Sequence, residues 1–155
     1  MSPVPALLVL EDGRVFRGRS FGAPGEAFGE LVLATGSADY QAVLTDPINS
    51  GRVVLATTTH VGNAGWNGED SRSERVQAAG LIVRDPAPRP SNFRSISSLA
   101  EVLQEQGVVA IADIDTRALT HHLRALGTVR VGISTDTDDV AALLARVRNH
   151  SGKDA

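Results

Sequence analysis

Apolar residues along this chain fall into two rhythms, and both meet in one stretch, VVAIADIDTRALTHHLRALG at residues 108–127. Residues 108–112 form a short continuous apolar run, which suits a strand covered on both faces, although a short buried helix reads similarly. Asp115 then stands where a helix N-cap belongs: its carboxylate can take a free backbone N–H and sits well at the positive end of the helix. The predicted helix is Thr116–Leu126, closed by Gly127. Leu119, Leu123 and Leu126 make its apolar stripe, while Arg117, His121 and Arg124 share a narrow arc on another face. A strand feeding a helix through an acidic turn is either plain α/β scaffold or the presentation of a site.

Elsewhere the same rhythms predict further elements. Residues 6–10 (ALLVL) and 14–20 (RVFRGRS) are strands joined by Glu11-Asp12-Gly13, a strong hairpin signal. Residues 28–35 (FGELVLAT) follow as a third strand, so the amino-terminal third reads as a β-meander. Residues 38–44 suit two helical turns that stop before Pro47. Residues 52–58 (RVVLATT) form a strand that runs into a Gly/Asn-rich loop, 59–68, holding His60 and the only Trp. Such loops carry binding groups, or merely supply positive-φ turns. Residues 80–84 (GLIVR) form another buried strand. A capping box at Ser98 and Glu101 opens a helix through Gln106. Residues 130–135 form a strand, and Asp138 or Asp139 starts a last helix with Val140, Leu143, Leu144 and Val147 on its apolar side. The β-rich first half and β–α–β–α second half predict an α/β layered domain over residues 1–150, with a tail at 151–155.

Composition narrows the function. A length of 155 residues fits one domain with its own core. The formal net charge of −3 carries no nucleic-acid footprint. No apolar run approaches membrane-spanning length, and the start is too soon interrupted by acid for a signal peptide, so a cytoplasmic protein without membrane contact is expected. The absence of Cys removes disulfides, thiolate–metal sites and any cysteine nucleophile.

The remaining chemistry is sparse. Of the four His, His121 and His122 point about 100° apart on a helix and do not easily share one metal, and His60 lies alone, so no metal is expected. No nucleophile-elbow, Walker A or dinucleotide pattern appears, and no cofactor is expected. Asp113 and Asp115 read either as an acid/base pair or hard-cation site, or as a cap plus a solvated turn residue. Arg117, His121 and Arg124 read as a site for a partner's carboxylates, or as a solvated face.

Read together, residues 6–32 (ALLVLEDGRVFRGRSFGAPGEAFGELV), YQAVLTDP, HVGNAG, VQAAGLIVRDPAPRPSNFRS and the 108–127 stretch resemble the amino-terminal domain of the small subunit of carbamoyl-phosphate synthase, in order and without large gaps. The resemblance implies a layered β/β/α fold of the swivelling type that does no chemistry itself. It implies packing against the large subunit and against a glutaminase domain with a Cys–His–Glu site, in an enzyme serving arginine and pyrimidine biosynthesis. It makes His60, Gly62, Asn63, Asp115, Thr116, Arg117, His121 and Arg124 candidates for interface and loop-shaping roles.

Two departures from the family pattern stand out. The chain stops at Ala155, where the resemblance places the glutaminase domain, and without Cys it cannot hydrolyse glutamine by the family's thiol mechanism. The loops also differ: the family's F-N-T-G-M-T-G-Y is L-A-T-G-S-A-D-Y at 33–40, T-D-P-S-Y-S is T-D-P-I-N-S at 45–50, and T-Y-P-H-I-G-N is T-T-T-H-V-G-N at 57–63. The first Ser of the second motif helps bind glutamine in the family; Ile48 has no hydroxyl to replace it. The expectation is a docking domain. The alternatives are a free-standing relative recruited for assembly or ligand binding, as an oligomer covering surface its partners would bury, and a small enzyme using His60, Asp39, Tyr40 or Asp113.

Overall fold

A computed structural model of the chain describes residues 4–34, 44, 46–56, 76–84 and 103–149. The predicted hairpin forms. Strand β1 (Pro5–Leu10) and strand β2 (Val15–Ser20) pair antiparallel, with Val9 opposite Val15. Gly13 takes a φ of 98°, and the Gly13 N–H donates to the Leu10 carbonyl at 2.8 Å. The Asp12 carboxylate accepts from the Arg14 N–H at 3.1 Å. Asp-Gly thus supplies both the left-handed residue and the side-chain acceptor that a tight turn needs.

Strand β3 (Glu26–Ala34) does not continue a meander. Its first half pairs antiparallel with strand β7 (Arg130–Ser134), with Phe28 opposite Gly132, and its second half pairs parallel with strand β4 (Val53–Ala56). The far edge of β2 instead takes strand β6 (Val109–Ala112). The alternation of a strand determines which side chains face inward but not which strand lies beside it, and here the neighbour is distant in sequence. Strand β5 (Gly80–Ile82) completes a closed barrel in the order β1–β2–β6–β5–β4–β3–β7. Strands β3, β4, β5 and β6 are mutually parallel; the other pairings are antiparallel.

The apolar runs of β4, β5 and β6 are buried along their whole lengths, as expected of parallel strands covered on both faces. Inside the barrel, Leu8, Leu10, Leu55, Ile82, Ile111, Val131 and Ile133 pack together, joined by Leu119 and Leu123. On the outer face of the parallel strands, Val54, Leu81 and Ala110 pack with Leu44 and Leu103. Helix α1 (Thr116–Leu126) has the predicted bounds, but Leu126 is 39% exposed. Its stripe stays in phase for one more turn than the core can cover. Helix α2 (Val140–Asn149) starts from Asp139, whose carboxylate accepts from the Ala142 N–H at 3.1 Å. It lays Leu143 on Leu7 and Val9. Gly132 makes room for this packing, since a Cβ there would lie 2.7 Å from a Val147 methyl. Among the described residues no helix is long and apolar enough to cross a membrane.

Candidate binding surface around the first helix

The turn from β6 into α1 is built by alternating exposure. Asp113 and Asp115 are exposed, while Ile114 between them is buried. Asp113 makes this reversal with a φ of 64°, a left-handed conformation that Asp tolerates better than most residues. Its N–H donates to the Arg84 carbonyl at 2.9 Å, and the Arg19 Nε donates to its Oδ2 at 2.7 Å. Asp115 Oδ1 accepts from the Ala118 N–H at 3.0 Å, so Asp115 is the predicted N-cap. With Arg84 and Ile114 these two carboxylates line an open cleft of about 460 Å³. Each has its own structural tie, one to a guanidinium and one to a helix terminus. Among the described residues no three His, Cys, Asp or Glu side chains gather in a way that could hold a metal ion.

The two neighbouring histidines part company as the helical period requires. His122 turns back to the β1–β2 hairpin, its Nε2 2.6 Å from Asp12 Oδ2. Partial burial pushes the Asp12 carboxyl up, but the Arg14 N–H and the His122 ring outweigh it and hold the carboxyl below its ordinary value. The same hairpin is held by β7 and α2: the Arg130 N–H donates to Glu11 Oε1 at 2.8 Å, and Arg148 Nε donates to the Glu11 carbonyl at 3.0 Å.

His121 faces solvent with Arg117 and Arg124, in the single arc the sequence predicts. Thr116 is buried at the helix start, where its carbonyl accepts from the Thr120 hydroxyl at 2.7 Å. Beyond Arg124 lies a groove of about 570 Å³ between β3 and the second half of α1, lined among others by Glu30, Leu33, Thr120, Leu123 and Arg124. Sequence reasoning missed this groove because its walls come from residues some ninety positions apart. The available signal was the run Leu31-Val32-Leu33, longer than one buried face needs; Leu33 is 44% exposed.

Ile48 sits in a one-turn 3-10 helix, Pro47–Asn49, capped by Asp46, whose carboxylate accepts from the Ile48 N–H at 3.1 Å. Its side chain is 72% exposed, while Asn49 beside it is buried. Asp39, Tyr40, His60, Gly62 and Asn63 lie outside the described residues.

The family "Carbamoyl-phosphate synthase small chain, CPSase domain" matches residues 8–133, which run from within β1 to within β7. The carbamoyl phosphate synthase small chain of Streptomyces avermitilis is 56% identical over 147 residues, covering 94% of this chain and 39% of the relative. The small chain of Mycobacterium tuberculosis is 52% identical over 147 residues, covering 92% and 39%. That of Thermosynechococcus vestitus is 50% identical over 145 residues, covering 94% and 38%. This chain therefore spans about two-fifths of the length of these relatives. A solved aminopeptidase from Aneurinibacillus sp. strain AM-1 superposes with a TM-score of 0.44 at 13% identity over 86% of this chain and 31% of that one, too slight a likeness to say anything of the fold. From the hairpin of β1 to the closing strand β7, this chain belongs to the carbamoyl-phosphate synthase small-chain family, in its CPSase domain.

Proposed function

We propose that this chain is a non-catalytic docking domain of carbamoyl-phosphate synthase, which packs on the large subunit and on a glutaminase domain in the cytoplasm, in the service of arginine and pyrimidine synthesis. The observation that carries this reading is the family match over residues 8–133, which takes in five whole strands and α1, with parts of β1 and β7 at its ends. The arrangement of the barrel supports the layered β/β/α reading: a parallel sheet of β3 to β6 with apolar cover outside it, and an antiparallel sheet with α2 on its outer face. These 155 residues contain no Cys, so the thiol step of glutamine hydrolysis is not supplied by this domain.

Ile48 favours a refinement of this reading. Where the family pattern has a glutamine-binding Ser, this chain projects an aliphatic side chain, 72% exposed, from a capped turn. An alkyl group there offers no hydrogen bond and leaves a buried substrate polar group unpaired. The domain therefore keeps its fold and its docking face without completing a glutamine site. Co-purification of the tagged chain with a synthase large subunit tests the docking role, and absence of any complex overturns it. Glutamine-dependent synthesis restored by this chain plus a separately supplied glutaminase domain would overturn the refinement and leave docking intact.

A further inference from the structure

Several positive side chains around the barrel are already engaged. Arg19 pairs with Asp113, Arg130 with Glu11 and Arg146 with Glu26, while Arg148 donates to the Glu11 carbonyl. The outer face of α1 is different. Arg117, His121 and Arg124 are exposed in one row, and no hydrogen bond or ion pair ties any of them to another described residue. Seven residues of helix set the Cα atoms of Arg117 and Arg124 about 10 Å apart along the axis, with His121 between them. The row ends at the groove, because Arg124 is also one of its walls. The groove offers Leu33, 44% exposed, beside Leu123, and Glu30 faces it from β3.

We infer that this row and groove are one docking surface for an acidic amphipathic helix of the large subunit, an inference that rests on the docking role proposed above. The occupant carries two carboxylates one to two turns apart, set against Arg117 and Arg124 with His121 between them. Guanidinium groups pair well with carboxylates at exposed rims, where charge sets register and encounter rate. Past Arg124 the helix places a leucine-sized side chain over Leu33 and Leu123, and a Lys, Arg or N–H donor next to Glu30. That order of charges fixes the direction in which the helix runs. A second copy of this chain fits poorly, since a two-fold contact through α1 sets guanidinium against guanidinium. Nucleic acid fits poorly too, because Glu30 and a net charge of −3 oppose a phosphate backbone.

The test is binding of the 155-residue chain to a large chain from Streptomyces avermitilis, whose small chain is 56% identical to it. The variant Arg117→Gln/His121→Gln/Arg124→Gln removes the row without reversing charge at the helix end, and Leu33→Ser removes the apolar contact. Arg17→Gln, an exposed position on β2, is the control. Both test variants are expected to weaken binding by about tenfold or more, with the triple variant losing most of the salt dependence of the parent. The control should bind as the parent does. Unchanged thermal midpoints establish that the variants fold; if Leu33→Ser does not, the salt dependence of the triple variant decides. Equal binding by parent and triple variant would overturn this surface and leave the docking role standing. No binding by the parent would overturn the docking role and this inference with it. A short DNA duplex or a self-dimer that binds the parent and not the triple variant would assign the row to another occupant and overturn it as well.

Discussion

Asp115 and Asp113 stand two residues apart and do different work. Asp115 satisfies one of the free N–H groups that begin α1, through the 3.0 Å bond to Ala118. Asp115→Ala should therefore cost about 1 kcal/mol of stability in urea unfolding and leave large-subunit binding unchanged. Weakened binding at full stability would instead make Asp115 an interface residue. Asp12 makes a pH-dependent contribution. Its carboxyl is held below its ordinary 3.8, so the folded state binds fewer protons than the unfolded one in that range. The stabilisation is complete above about pH 5 and is lost as pH falls through the lowered folded value. For so exposed a pair the loss is at most about 1 kcal/mol. Between pH 5 and pH 3 the unfolding midpoint of the parent should fall more than that of Asp12→Asn; parallel curves would show that the His122 contact contributes nothing.

Each predicted element whose residues are described formed, because its signal was local. The Asp-Gly hairpin, the Asp115 cap and the stripe of Leu119 and Leu123 all depend on residues within a turn of one another. What stayed illegible was partnership. Nothing in FGELVLAT says that its first half will lie against residues 130–134 and its second half against β4. The groove was hidden for the same reason, while the arc of Arg117, His121 and Arg124 was visible because one helix holds all three. Helix α2 gives a clean test of packing at this scale. Leu143 is fully buried between the helix and β1. Leu143→Ala should cost about 2–5 kcal/mol by chemical denaturation, and a cost well under 1 kcal/mol would mean that α2 is not anchored there.

For the molecule as a whole, closure is the governing fact. Among the described residues strand β7 joins β1 to β3, and it fills the interior with Val131 and Ile133. A chain ending at residue 128 would leave two sheet edges and that interior open to water. It should show no cooperative thermal transition, whereas the full chain melts in one step; a truncated chain with native-like amide dispersion in its NMR spectrum would contradict the barrel order. The seam also places a demand on synthesis. Leu8 leaves the ribosome well over a hundred residues ahead of its partner Ile133. Until then the β1–β2 hairpin waits with one apolar edge unpaired, a slow and non-local closure during which chaperones have the most to protect. In longer relatives, residues that follow this domain emerge only after that seam can close.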